Sequence, residues 1–406
     1  MLATVLLASA LLSVLGWIYL LGWRGGFWRS DQRLPAALPA PARWPRVTAV
    51  IPSRNETAGI GRAVRSLLAQ DYPGSFAIIV VDDDSNDGTA AAAIAAGQGD
   101  PRLTVLIGSP LPKRWTGKLW AVHQGIRKAL ATSNPEYLLL TDADIEHSPD
   151  NLRRLIAMAE NGKRDLVSLM VRLRCETFWE RLLIPPFIFF FQKLYPFSWV
   201  SNDARPEAAA AGGCLLVRTA TLESVDGIAA IRGKIIDDCA LAARIKGRRG
   251  AIWVGLCEAT RSLRPYPQLR DVWAMVARTA FTQLDHSPVR LILTVVGMLI
   301  LYLLPPISLL YGLTAGAGQL GALGAGAWAL MTVSFLPTLA FYRLSAAWSL
   351  LLPVAAALYV LMACDSARLS WLGHGGAWKG RRVEANDLTP ETSHDASSTT
   401  EPAGQQ

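Results

Sequence analysis

The sequence predicts an α/β domain, a mostly parallel sheet with helices on both faces, joined to transmembrane helices. Three observations carry this. Between Val47 and Cys257, short apolar runs alternate with helical patterns, as parallel strands linked by helical crossovers do. Met1 to Trp23 contains no charged residue, long enough to span hydrocarbon as a helix. Three further apolar stretches, Leu291–Tyr311, Leu320–Phe341 and Ser345–Ala363, follow the α/β region.

Composition agrees. Of 406 residues, 51% are hydrophobic and 18% charged, an apolar balance for a soluble protein. The net charge of +8 suits a chain lying against anionic lipid. No long Lys/Arg run or zinc-ligand spacing supports nucleic-acid binding. The five cysteines are scattered without a Cys-x-x-Cys pair and read as small hydrophobes in a reducing compartment.

In order, residues 1–23 form an N-terminal transmembrane anchor. A cleaved signal peptide would need a basic start and a shorter apolar core. Residues 24–46 form a basic, Pro-rich linker. Arg24, Arg29, Arg33, Arg43 and Arg46 place it and the next domain in the cytoplasm by the positive-inside rule. Strands are expected at Val47–Pro52, Ile78–Val81, Leu103–Ile107, Tyr137–Thr141, Leu166–Val171 and Cys214–Val217. Ile60, Val64, Leu67 and Leu68 mark one helical face. Gly117–Leu130 and Pro149–Ala159 read as helices, with Ser148 as cap of the second.

The chemistry gathers at strand ends. Tyr137–Thr141 reads as a strand buried on both faces and delivers Asp142 and Asp144 to the carboxyl edge of the sheet. Two carboxylates there repel unless a cation separates them, and oxygen ligands favour Mg2+ or Mn2+ bridging to phosphates. A solvated Asp-rich turn is the alternative for Asp-x-Asp alone. The first strand ends in Pro52-Ser53-Arg54-Asn55-Glu56, the second in Asp82-Asp83-Asp84. Carboxylates there suit a base or ribose. Lys113, Arg114 and Lys118 suit a diphosphate, or else form a solvated basic loop. Gly212-Gly213 admits close backbone approach or marks a simple turn. Asp237-Asp238 opens a helix, as a dipole complement or as a general base.

The membrane side has its own pattern. Residues 176–200, with apolar Leu182–Phe191 and Pro185-Pro186, read as an interfacial segment suited to a lipid acceptor; a buried core helix is the alternative. Residues 266–288 read as an interfacial amphipathic helix. Residues 289–363 make a membrane domain of about three spans, kinked at Pro305-Pro306. Residues 364–406 are a polar tail, disordered at its end. One conflict stands: three spans put the tail outside, whereas Arg368, Lys379, Arg381 and Arg382 argue for inside.

Taken together, Val-Ile-Pro-Ser-Arg-Asn-Glu (50–56), Val-Asp-Asp-Asp-Ser-Asn-Asp-Gly-Thr (81–89), Gly-Lys-Leu-Trp-Ala-Val-His-Gln-Gly (117–125), Thr-Asp-Ala-Asp (141–144) and Asp-Asp-Cys-Ala-Leu (237–241) resemble the family-2 inverting glycosyltransferases. With its apolar ends and Trp-Lys-Gly-Arg at 378–381, the whole chain resembles bacterial glycosyltransferases associated with hopanoid biosynthesis. The resemblance implies a GT-A, Rossmann-like fold, a nucleotide-diphosphate sugar donor (a UDP-sugar first) and a multi-pass protein of the bacterial inner membrane. It implies that Asp83, beside Asp82, contacts the nucleoside, and that Asp142 and Asp144 hold the metal. It makes Asp238, with Asp237, the catalytic base and puts Lys118 near the diphosphate. Pro52, Arg54, Glu56, Gly212, Gly213 and Arg278 complete the expected donor site. Asp84 stands where the family has Gly. The Gln-x-x-Arg-Trp motif of processive synthases keeps only Arg278, with Met275 and Thr279 in the other places, which argues for a single transfer. A processive polysaccharide synthase and a non-catalytic organiser of lipid synthesis are the rival classes.

Overall fold

The computed structural model describes residues 2–373. Helix α1 (Leu2–Trp23) precedes eight strands: β1 (Val47–Ser53), β2 (Phe76–Asp82), β3 (Leu103–Ile107), β4 (Tyr137–Thr141), β5 (Ile145–Glu146), β6 (Leu166–Arg172), β7 (Cys214–Arg218) and β8 (Ile252–Ser262). They form one sheet in the order β3-β2-β1-β4-β7-β6-β8-β5. β3, β2, β1 and β4 are parallel, as are β6 and β8, while β7 runs antiparallel between β4 and β6. The sheet is therefore mixed.

Its first half is covered by α2 (Thr57–Leu68), α3 (Thr89–Gly97), α4 (Gly117–Thr132) and α5 (Asn151–Asn161). Period-two alternation sends Leu138 and Leu140 to one core with Leu119 and Val122 of α4. Tyr137 and Leu139 go to the other core, with Ile60 of α2 and Leu155 of α5. A strand buried on both faces reads as an unbroken apolar run, which is why β4 stood out in the sequence. The cap of α5 is Asp150, not Ser148, whose hydroxyl donates to Asp150 Oδ1 at 2.7 Å.

Residues 24–46 do not hang free. Leu34 is buried, its N–H donates to the Leu256 carbonyl, and Arg33 bridges to Leu256 as a parallel strand residue. Arg154 holds the Leu34 and Pro35 carbonyls. The anchor is thereby tied to the edge of the sheet.

The remaining helices are α6 (Phe178–Leu194), α7 (Phe197–Val200), α8 (Thr219–Ser224), α9 (Asp237–Gly247), α10 (Leu269–Ala277), α11 (Ala280–Gln283), α12 (Pro288–Met298), α13 (Leu304–Thr314), α14 (Gly318–Tyr342) and α15 (Leu352–Trp371). α6 opens with a Thr177/Glu180 capping box. Glu180 also accepts the N–H of Tyr266 at 2.7 Å, tying α6 to the segment after β8. Most apolar residues of α6 are buried. It packs between the α/β domain and the apolar helices, closer to the core alternative than to an open interfacial segment.

Among the described residues, four helical stretches are long and apolar enough to cross a membrane: Thr4–Trp23, Pro288–Thr314, Gly318–Tyr342 and Ala346–Trp371. Between α12 and α13 the chain makes a π turn, Leu299–Leu303, just before Pro305-Pro306. Pro305 has no N–H for the carbonyl four residues back. The buried Trp17 indole supplies the missing donor, reaching the Leu301 carbonyl at 2.8 Å. Gly312 lets α13 touch α14 at Gly321, where a Cβ would lie 2.3 Å from the Gly321 Cα.

The last helix behaves differently from the other three. At its start, Trp348 packs on Phe178, and the preceding Tyr342 carbonyl accepts from Arg172 of β6. At its end, Asp365 accepts from the Trp273 indole of α10, Ser366 from the Phe281 N–H, and Ser370 pairs with His286. Both ends thus pack on elements attached to the α/β domain, with Tyr359 between them bonded to the Leu183 carbonyl of α6. The polar tail lies outside the described residues except for residues 364–373.

Candidate active site

One cavity of about 550 Å3 opens at the carboxyl ends of β1, β4 and β6. Ten predicted residues line it: Pro52, Glu56, Lys118, Asp142, Asp144, Gly212, Gly213, Asp237, Asp238 and Arg278. The sheet order explains the convergence. β4 lies between β1 and β7, so Asp142 emerges beside Pro52 and beside Gly213, which leads into β7.

Lys118, in the first turn of α4, is the hub. Its Nζ lies 3.1 Å from Asp142 Oδ1 and 3.2 Å from Asp237 Oδ2. Burial alone would lower its pKa, but Asp142, Asp237 and Asp238 outweigh burial and hold it above the ordinary value. Burial pushes Asp142 upward, Lys118 opposes this, and Asp144 adds to it. Asp238 accepts the Gly212 N–H at 2.7 Å on Oδ2 and the Cys239 N–H at 2.7 Å on Oδ1. Burial and the Asp237 charge nevertheless push it up to about 6.

Sequence reasoning missed Arg264. It pairs with Glu56 and lies 3.1 Å from Asp144 Oδ2, which also accepts from Ser262 at 2.9 Å. An arginine just past a strand end was the available signal, but β8 itself was not anticipated. A second missed feature is a buried relay. Asn151 donates to His147 Nδ1 at 2.9 Å, His147 Nε2 pairs with Thr141 Oγ1 at 2.9 Å, and Thr141 donates to the Gly213 carbonyl at 2.7 Å. Burial pulls His147 down to about 3, so the ring is neutral and braces the loop carrying Gly212.

Arg54, Asp82 and Asp83 do not line this cavity. Asp82 accepts from the Ser85 hydroxyl within its own turn, and the Arg54 guanidinium holds the Asp83 and Asp84 carbonyls and lies 3.8 Å from Asp83 Oδ2. These residues shape the loop at the end of β2. Asp84 sits at φ +56°, a conformation Asp tolerates better than most residues, so the loop turns there without the family's glycine.

The donor set fits a hard divalent cation. The cavity wall carries six carboxylates (Glu56, Asp142, Asp144, Asp237, Asp238, Asp271) and four cations (Lys118, Lys234, Arg264, Arg278), an excess of two negative charges. Among the described residues no three His, Cys, Asp or Glu side chains converge. The protein therefore offers a carboxylate pair whose ion would complete its shell from phosphate and water, as Mg2+ and Mn2+ do. The rest of the wall is apolar, with Phe187 and Phe191 of α6 and Ala274 and Met275 of α10.

Residues 48–224 match the model described as "Glycosyl transferase family 2". This segment is similar to the family 2 glycosyltransferases. Over 114 residues this chain is 31% identical to the beta-monoglucosyldiacylglycerol synthase of Synechocystis, covering 28% of this chain and 22% of that protein. Over 137 residues it is 28% identical to the undecaprenyl-phosphate 4-deoxy-4-formamido-L-arabinose transferase of Pseudomonas aeruginosa, covering 33% and 38%. The chain thus spans well under half the length of these relatives. A mannosyltransferase of Pyrobaculum calidifontis, solved with GDP-Man and Mn2+, superposes with a TM-score of 0.53 at 20% identity, over 90% of this chain and 99% of that one. The fold is GT-A-like, with added apolar helices.

Proposed function

We propose that the protein is a membrane-bound inverting glycosyltransferase that moves one sugar from a nucleotide-diphosphate sugar, a UDP-sugar first, to the hydroxyl of a lipid. One observation carries the reading: a single cavity holds the carboxylate and lysine cluster together with an apolar wall from α6 and α10. The first part suits a charged diphosphate, the second a lipid. Relatives that act on diacylglycerol and undecaprenyl-phosphate acceptors, by their names, support a lipid; the hopanoid link rests on the resemblance.

In the mechanism, Asp238 is the base. Its Oδ atoms are fixed by two backbone N–H groups, and its raised pKa makes it a better proton acceptor than an ordinary aspartate. Asp237 is spent on Lys118. As Asp238 takes the acceptor proton, the acceptor oxygen attacks the anomeric carbon. The bond to the diphosphate breaks with its electron pair going to the leaving nucleoside diphosphate, and the centre inverts. Lys118 stabilises the charge that develops there. Asp142 and Asp144 would hold a divalent ion, which would supply further neutralisation of the diphosphate.

The membrane reading follows the helices. α1, α12–α13 and α14 cross, and α15 lies along the interface beneath the domain with both ends on the catalytic side. That arrangement puts Arg368 on the side of Arg24 to Arg46, the cytoplasm, as the positive-inside rule asks. The test of function is transfer from a panel of labelled nucleotide sugars, with Mg2+ or Mn2+, into bacterial lipid extract. One organic-soluble product supports the reading. A long water-soluble polymer supports a processive synthase instead.

A further inference from the structure

Helix α6 has a second face that the transfer reaction does not use. Phe187 and Phe191 look into the cavity. Lys193, two residues beyond Phe191 and so roughly 200° round the helix, points elsewhere. Its Nζ lies 3.0 Å from the Tyr302 hydroxyl and 3.9 Å from Met298 Sδ, over the Phe190 and Tyr302 rings at 5.1 and 4.7 Å. Tyr302 is fully buried within a crossing helix. Among the described residues Lys193 forms no ion pair; burial first, and then the Arg24 cation, pull its ammonium down to about 7.

Arg24 also lacks an ion pair among the described residues. It donates to the Lys193 and Leu194 carbonyls at 3.1 Å each and stacks on Trp199 at 4.9 Å. Glu207, the acid that feels Arg24, is taken by Arg205 at 2.8 Å. Arg29 adds a third cation beside Trp28. Cations interleaved with Trp28, Tyr195 and Trp199 at the end of α1 match the headgroup level of a bilayer. Lys193 is held there by one hydroxyl and two aromatic rings and by no carboxylate, and an ionisable side chain at that depth is a functional-site candidate by default.

We propose that Lys193 and Arg24 form a binding site for the phosphate of an anionic phospholipid, on the face of α6 turned away from the catalytic cavity. The ammonium and guanidinium supply charge-assisted donors to the phosphate, and the acyl chains lie along α1 and the π turn. The site rests on the membrane reading, not on the transfer chemistry.

The test is thermal unfolding of the full chain in neutral detergent, with phosphatidylglycerol or phosphatidylcholine of the same chains added. Phosphatidylglycerol raises Tm by about 4 °C in the wild type, phosphatidylcholine does not, and Lys193→Gln and Arg24→Gln each remove at least half of the shift. Lys193→Arg keeps it. Should Lys193→Gln fail to fold, Arg24→Gln and Lys193→Arg decide. An equal shift with phosphatidylcholine, an undiminished shift in the variants, or the same shift from inorganic phosphate overturns the proposal. Because the readout is binding, an inactive transferase still passes or fails it, which separates this site from the proposed function.

Discussion

The Gly212 N–H donates to Asp238 Oδ2 at 2.7 Å, and a Cβ at Gly212 would lie 3.4 Å from that oxygen and 3.3 Å from Lys118 Nζ. In the proposed mechanism the glycine therefore aims Asp238 and leaves room for the charge cluster. Gly212→Ala should keep the fold, since both neighbours are side-chain tips, yet lower kcat about tenfold through misplacement of a few tenths of an ångström. Circular dichroism with steady-state transfer kinetics checks this. Unchanged kcat would show that the contact is incidental.

Transfer should fall as pH drops through about 6. Asp238 is pushed up to about 6 by burial and Asp237, and a base must be deprotonated to act. Below that pH the carboxyl holds its proton and the rate falls about tenfold per pH unit. A kcat/KM profile from pH 4.5 to 8.5 shows the limb. A profile flat to pH 4.5 would argue for an ordinary carboxylate.

Lys118→Gln should cut kcat/KM about 100-fold, the scale of one lost charge-stabilising donor. It should also move the acid limb upward, because Lys118 lowers the Asp238 pKa and its loss favours the protonated form. Rate profiles of both proteins measure the two effects together. A limb that stayed in place would separate Lys118 from the base.

The α/β half was legible because its strands are largely apolar. β1 and β4 are buried along their full length, and the sequence shows it. β8 was not, since its second half reads Glu-Ala-Thr-Arg-Ser and pairs across a bulge at Val171/Arg172. Losing β8 also lost Arg264. Nine of the ten cavity residues were legible as strand and helix ends, and Arg278 came from the resemblance alone. The His147 relay was not, because a buried neutral histidine leaves no spacing signal. The fate of the last apolar stretch was hidden too. Its composition suits a span, and its ties to Phe178 and Trp273, which underlie the proposed placement of both ends on one side, leave no mark in the sequence.

That placement predicts labelling. In inverted and right-side-out vesicles of a cysteine-free background, Leu372→Cys should react with a membrane-impermeant maleimide from the same side as Asp203→Cys on the α/β domain. Leu372 and Asp203 are both exposed. Reaction from opposite sides would make α15 a full crossing.

The most direct measurement compares wild type with Asp238→Asn in one assay pair: transfer of labelled sugar into lipid, and donor binding by calorimetry with Mg2+. The proposed mechanism predicts transfer reduced by at least 1,000-fold, on the order expected for an essential proton acceptor, with donor affinity within about threefold of wild type. Transfer that survives the substitution, or donor binding lost from a folded protein, would contradict Asp238 as the base.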